Sequence, residues 1–291
     1  MRTSARVVPE SRFAAIPRRH PPMDAIQGLP AGLIGAFIAN SVLFFIPTYV
    51  LHTVCYPLLQ SRRIRYDLQS HASVTFSTLF AMDEQLRREW KNAMQVAVGG
   101  LGTVILEKAL VEMQVLEALP VSTPIDWSLI TRQFLTYFVL FDCYYYFLHR
   151  FFFHSRWGWK IHKVHHDSHV CYPSTGFSFH WFEGVVTGGF NPFLAHCLRF
   201  DQRIIMVCQL YGILNTVFVH AGIQIVPTWW DKRWLSKWYL SSQFHEVHHH
   251  KVGCNYGGFT TLYDHLFGTV YHKYDDMVNR LADHIESVAP H

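Results

Sequence analysis

Apolar runs divide the chain into elements long enough to cross a lipid bilayer. Positions 26–60 contain no Asp, Glu, Lys or Arg, and this run exceeds the roughly 20 residues that a spanning helix needs. Shorter apolar runs follow at 93–106, 127–148, 182–200 and 204–230, and the last two meet at a charged corner and predict a helical hairpin that enters the membrane and returns. The pattern predicts an all-α, polytopic membrane protein with about four to five membrane-embedded helices.

The composition agrees with this pattern. Half of the residues are hydrophobic and only 16% are charged, whereas charged residues make up about 25% of a soluble domain. The net charge of +4 comes from Lys and Arg at the ends of apolar runs, as in membrane proteins, so nucleic acid is not an expected partner. The six cysteines form no CxxC pair, which argues against a disulfide scaffold or a thiolate zinc site.

Composition changes along the chain suggest four regions. Residues 1–24 are basic and rich in proline and predict a flexible tail, whose Arg content resembles that of a transit peptide. Residues 25–126 predict N-terminal membrane helices and a connecting loop. Residues 127–275 hold most of the histidines and predict the catalytic domain, and residues 276–291 predict a C-terminal tail.

The histidines supply the candidate chemistry. Of 20 in the chain, 13 lie between His149 and His250, and most flank the ends of apolar runs. Helical spacing places three on one face in each of two segments, and six imidazoles exceed the three or four protein ligands of a single zinc. The sequence therefore predicts two metal ions in a helical cap on one membrane face, held first by His162, His165, His166, His245, His248 and His249.

Other residues are candidates to complete this site. His149 and His154 are five residues apart, which separates them by roughly 140° around a straight helix. They therefore either bind different metals or need a local break in the helix. His180 and His220 stand singly at the ends of the predicted hairpin and could complete the two coordination shells. Asp142 precedes His149 by seven residues and could orient an imidazole through its second nitrogen. Weaker candidates for such supporting roles are Glu183, Glu246 and Asp264.

The histidine motifs resemble those of a known family. His149 and His154, then "HKVHH" at 162–166 and "HEVHH" at 245–249, are followed by "NYG" at 255–257 and "LYDHLFGT" at 262–269. Over residues 130–275 this order resembles the fatty acid hydroxylase and sterol desaturase superfamily of integral membrane di-iron oxidases. The segments "YPSTGFSFHWFE" at 172–183 and "VHAG" at 219–222 are similar to sterol-type members, which implies that His180 and His220 are ligands.

The sequence departs from the family pattern at two places. The first box has four residues between its histidines, where many members have three. Trp181 stands where a proline is usual.

The resemblance implies a reaction and its partners. It implies two iron ions that use O₂ to hydroxylate or desaturate a lipid, above all a sterol, as in C-5 desaturases and C-4 methyl oxidases; the alternative is a fatty acyl or sphingolipid hydroxylase. No GxGxxG motif follows a strand-like segment, so the chain is not expected to bind nicotinamide or flavin itself. The resemblance implies that electrons come from cytochrome b5 with its reductase or from a ferredoxin-type chain. The expected location is the endoplasmic reticulum membrane in a eukaryote or the inner membrane in a bacterium.

Three other readings of the histidines stay open. A zinc pair would suit hydrolysis, a relay of histidines would suit a membrane metal transporter, and paired histidines could bind haem. Ligand type alone does not separate iron from zinc. A metal site where helices leave the bilayer is placed to receive a lipid, whose oxidisable groups are mostly alkyl, and this favours iron.

Overall fold

The computed structural model describes the histidine-rich region almost completely and little of the N-terminal part. The described residues are 38, 41–42, 44–51, 84–120, 124–169, 171–223, 226, 228–231 and 234–287. The predicted tail 1–24 lies outside them, and so does most of the predicted span 26–60, of which residues 44–50 are helical.

The described part of the chain is helical, and within it no strand forms; one isolated bridge joins Tyr239 to Thr260. The predicted all-α class is confirmed. The helices are α1 (Glu84–Glu112), α2 (Trp127–Phe147), α3 (Trp159–His166), α4 (Trp181–Leu198), α5 (Gln202–Val219), α6 (Thr228–Asp231), α7 (Ser242–Lys251), α8 (Leu262–Leu266) and α9 (Tyr274–Ser287). A π-helical turn follows α2 at Leu148–Phe153, and 3₁₀ turns occupy Pro173–Phe177 and Trp234–Trp238.

Side-chain caps define the starts of two long helices. Asp126 accepts hydrogen bonds from the backbone N–H groups of Ser128 and Leu129, both at 3.0 Å, and so begins α2. Asp201 caps α5 in the same way through the N–H of Arg203 at 2.9 Å. Arg199 ends α4 in the left-handed conformation, with φ of 55°, and the predicted hairpin of two helices thus turns within residues 199–201.

Two described helices, α1 and α5, are long and apolar enough to span a membrane. The most apolar 18-residue stretch of α1 is only 6% buried within the protein, and its surface carries exposed apolar side chains such as Val98 and Leu106. An exposed apolar helix face of this size favours contact with lipid. The sequence had indicated a shorter run at 93–106, and the structure embeds that run in the longer α1.

The long helices pack side by side and place the histidine segments at one end. Helices α1 and α4 are parallel, because Asn92 donates to Ser178 just before α4 at 3.1 Å while Glu107 contacts His196 near its other end at 3.0 Å. Helices α2, α4 and α5 share a buried apolar core that includes the loop residue Phe259. The π-helical turn, α3 and α7 lie beyond the ends of these helices, where the sequence changes from apolar to histidine-rich.

Candidate metal centre

The two HxxHH segments form the buried helices that carry most of the candidate ligands. In α3, His162, His165 and His166 are all at most 4% exposed, and in α7 His245, His248 and His249 are at most 2% exposed. Imidazoles are seldom buried together without a function, because each has two polar nitrogens that need partners.

The first histidine pair lies on a π-helical turn. The backbone N–H of His154 donates to the carbonyl of His149 at 3.1 Å, a bond over five residues that defines this geometry. The wider turn places residues five apart on one side, so the two rings approach to 5.0 Å between centroids. The spacing left two arrangements open, in which the pair binds different metals or the helix is locally broken. The structure shows the second, because the π-helical turn interrupts the regular α-helix.

The described histidines form two compact groups. In each group, one nitrogen from every member lies within 4.8 Å of the others. The first, here called the five-histidine group, contains His149, His154, His162, His166 and His248. The second, the four-histidine group, contains His165, His220, His245 and His249.

Outward hydrogen bonds determine which nitrogen of each ring faces the group. The Nδ1 atoms of His149, His220 and His248 face the backbone carbonyls of Tyr256, Thr216 and Cys254 at 2.9, 2.7 and 2.6 Å. His165 and His249 face carbonyls in the same way. Because a carbonyl oxygen only accepts, each Nδ1 must carry the hydrogen, and the Nε2 of a neutral ring is left with a lone pair.

Burial keeps these rings neutral. It lowers the pKa of His154 to about 2 and the pKa values of His220 and His248 to about 4. For the other six members burial also lowers the pKa, and neighbouring imidazoles add to the effect. Neutral imidazole is the form that binds a metal ion.

The inward nitrogens fit a cation. The Nε2 atoms of His165 and His220 lie 3.1 Å apart, yet both rings carry their hydrogen on Nδ1, so neither Nε2 can donate to the other. Two facing lone pairs repel unless a positive ion lies between or beside them. The same holds for His149 and His162, also 3.1 Å apart. The Nε2 atoms of His154, His248 and His249 are buried without a hydrogen-bond partner among the described residues, which completes the pattern of a metal site.

Glu183 is the carboxylate that contacts the site directly. Its Oε1 accepts from Nδ1 of His162 at 2.8 Å in a fully buried contact. It therefore fixes the orientation of that ring, as outer partners of metal-bound histidines do.

The other three predicted carboxylates lie elsewhere. Asp142 was expected to orient an imidazole, but its Oδ1 accepts from the N–H groups of Phe259 and Thr260 at 2.8 and 3.0 Å. Asp264 accepts from the N–H groups of Tyr256 and Gly257, both at 2.7 Å. Both carboxylates thus hold the loop that presents the carbonyl of Tyr256 to His149. Glu246 lies 3.4 Å from His250.

His180 is the predicted ligand that the structure does not bring to either group. It precedes α4, and its Nδ1 accepts from the backbone N–H of Phe182 at 3.2 Å, so it acts as a helix cap. Single histidines at helix ends give no sequence signal that separates a cap from a ligand.

The sequence did not single out Glu89, which supports the site from α1. This buried carboxylate accepts from the hydroxyls of Ser174 and Thr175 at 2.5 and 2.8 Å. Those residues belong to the 3₁₀ turn that leads to Ser178, whose carbonyl faces His165. Glu89 lies among the charged residues Arg87, Arg88 and Lys91 near the start of α1, so residue type alone did not separate it from its neighbours.

We expect alanine at Asp142 to lower the free energy of unfolding by about 2–4 kcal/mol, because buried N–H groups of Phe259 and Thr260 lose their acceptor. Thermal unfolding in detergent measures this. Asp142→Asn keeps a side-chain oxygen that can accept from both N–H groups and should lose less than half as much. Equal losses in both variants would show that the loop does not depend on these hydrogen bonds.

Comparison with known proteins agrees with the histidine pattern. Residues 134–269 match the family model described as fatty acid hydroxylase. Methylsterol monooxygenase 1 of Danio rerio is 31% identical over 156 residues, 51% of this chain and 52% of that protein. The Rattus norvegicus protein of the same name is 30% identical, with 55% and 56% covered.

A sterol desaturase is also similar. The Delta(7)-sterol 5(6)-desaturase of Candida dubliniensis is 33% identical over 142 residues, 48% of this chain and 34% of that protein. The chain thus spans about half the length of the methylsterol monooxygenases that it matches and about a third of this desaturase. No solved structure matches the chain significantly.

The matched segment contains both HxxHH helices, the π-helical turn and the loop that supports them, and the similar curated proteins carry the names of sterol enzymes. Residues 134–269 of this chain thus match a fatty acid hydroxylase domain.

Proposed function

We propose that this protein is a membrane-bound di-iron oxidase that uses O₂ and external electrons to hydroxylate or desaturate a sterol. The observation that carries the proposal is the pair of histidine groups, of which one borders an apolar cavity between the long helices. The names of the similar proteins, methylsterol monooxygenase and sterol desaturase, support the substrate class and the reaction type.

The two groups would hold one iron each. Five and four neutral imidazoles suit a divalent transition metal, and the outward Nδ1 bonds keep the rings aimed at it. Bound iron would supply the redox chemistry with O₂ that breaks an unactivated C–H bond. The protein itself would hold the imidazole rings in place, keep water away from the iron site and position the lipid.

A sterol would reach the four-histidine group from the membrane side. Among the nine grouped histidines, those that line the cavity of about 320 Å³ are His165, His220 and His245, all from the four-histidine group. Helices α1 and α5, the two candidate membrane spans, form two of its walls. The five-histidine group lies behind them, next to α3 and the π-helical turn.

The proposal extends to the architecture of the whole chain. We propose four to five membrane-embedded helices, contributed by a segment within 26–60 and by α1, α2, α4 and α5. The histidine helices would form a cap on one membrane face, and the four regions predicted from sequence would keep their boundaries. Electrons would enter from the aqueous side through cytochrome b5 or a ferredoxin-type chain.

The proposal is tested on protein purified in detergent with iron. We expect one iron per histidine group, hence two per chain, and O₂ consumption that depends on both a reductase system and an added sterol. Parallel assays with a fatty acyl lipid and a sphingolipid test the substrate class. Mass spectrometry of the lipid product identifies hydroxylation or desaturation.

Reconstituted vesicles provide the contrasting experiment. A metal transporter would move iron or zinc across the vesicle membrane and would leave the sterol unchanged. Metal flux without any lipid oxidation would overturn the proposal, and so would a protein that binds two zinc ions in preference to iron and hydrolyses its lipid.

A further inference from the structure

The apolar cavity extends along the four long helices from the metal centre. On α1 its lining runs from Ala93 to Glu107, and on α2 it runs from Tyr145 back to Tyr137. Fourteen helical steps on α1 correspond to roughly 21 Å. The cavity is thus long, and the end near Ala93 and Tyr145 is the end that the four-histidine group borders.

Three consecutive tyrosines on α2 differ in what their hydroxyls bind. The hydroxyl of Tyr144 donates to the carbonyl of Val186 at 2.9 Å, and that of Tyr146 lies 3.0 Å from the hydroxyl of Thr269. The hydroxyl of Tyr145 has no hydrogen-bond partner among the residues that the structure describes, although the ring lines the cavity. Enclosed tyrosine hydroxyls are normally paired, so this one is available to a ligand.

The ring of Tyr145 is held beside the metal centre. Its centroid lies 5.2 Å from that of His149, a member of the five-histidine group. On the other side it packs on Gly258, where a Cβ atom would come within 2.5 Å of the tyrosine ring. Any side chain at position 258 would therefore displace the ring, and the loop that supports His149 also fixes Tyr145.

We propose that Tyr145 binds an oxygen atom of the lipid, so that the substrate carries a hydroxyl or keto group close to the carbon that is oxidised. This inference rests on the proposed function and narrows it. The donor stands at the metal end of a cavity whose length suits a sterol. A sterol whose ring hydroxyl binds Tyr145 presents the carbons near that hydroxyl to the four-histidine group, and the apolar remainder extends along α1 and α5.

The test compares Tyr145→Phe with the wild type on two ligands, a 4-methylsterol with its 3-hydroxyl and the same sterol without it. For the hydroxylated sterol we expect Kd and KM to rise roughly tenfold, as for a buried hydrogen bond that is lost. For the sterol without the hydroxyl the two proteins should bind equally. Kd is measured without O₂ and without reductant, so that no turnover occurs.

Tyr144→Phe is the matched control, because it removes a hydroxyl that already has a partner in the protein. It should leave the ratio of the two Kd values unchanged. If Tyr145→Phe weakens both sterols equally, or weakens neither, this assignment is wrong even though the wild type oxidises sterols. If the wild type takes up no iron and oxidises no sterol, the proposed function itself fails, and the two failures are thus distinguishable.

Discussion

Alanine at His248 should remove the metal of the five-histidine group, and alanine at His165 should remove that of the four-histidine group. Each substitution deletes a buried Nε2 lone pair and leaves a cavity where the ring was. We expect about half of the wild-type iron in each variant and activity reduced more than the 10–100-fold that is typical for loss of an outer partner. Iron analysis and sterol-dependent O₂ consumption measure both effects.

His250→Ala is the control for this pair. His250 follows His249 on α7, but its side chain is 26% exposed and lies outside both groups. It should keep both irons. If alanine at His248 and at His165 left the iron content at the wild-type value, the two groups would not be metal sites. Loss of both irons in each single variant would mean that the two groups bind metal only as a unit.

Local spacing was sufficient to identify the main ligand candidates but not their division between the groups. The three- and four-residue intervals place the histidines of α3 on one face, and the same holds for α7. The structure brings all six together, yet each helix serves both groups: His162 and His166 lie in one, and His165 lies in the other. That division depends on how α3 and α7 pack against each other, which the spacing of histidines within each helix does not determine.

Two features of the histidine site could not be predicted from the sequence. The five-residue interval between His149 and His154 gave two possible arrangements, and only the π-helical hydrogen bond selects one. The partners of the Nδ1 atoms are mostly backbone carbonyls, such as that of Cys254. Every residue has such a carbonyl, so the residue type does not indicate which carbonyl accepts from a histidine. That depends on the position of the residue in the tertiary structure.

The resemblance to a family gave information that spacing could not give. His220 stands alone in sequence at the end of the predicted hairpin, and its match to the "VHAG" segment strengthened its candidacy as a ligand. The structure places its Nε2 2.8 Å from that of His245. His180 had similar support and lies at the start of α4 as a cap. A motif therefore indicates candidate residues, while the local backbone decides which of them can join a histidine group.

Glu183→Leu should weaken metal binding at the five-histidine group by about 10–100-fold. The substitution removes the acceptor for Nδ1 of His162, so a buried N–H is left unpaired and the ring loses its orientation. The four-histidine group should keep its metal, because no carboxylate contacts it among the described residues. Competition with a graded series of chelators measures the two affinities without any turnover.

Glu183→Gln separates orientation from charge. Glutamine retains an oxygen that accepts from His162, so it should recover most of the affinity if the hydrogen bond is what matters, and little of it if the negative charge matters. Glu107→Leu is the matched control, since it breaks a similar carboxylate–imidazole contact, 3.0 Å to His196, away from both groups. Retention of both metals by Glu183→Leu at wild-type affinity would show that the His162 ring is held in place by its packing alone, against Phe153 at 5.1 Å between centroids.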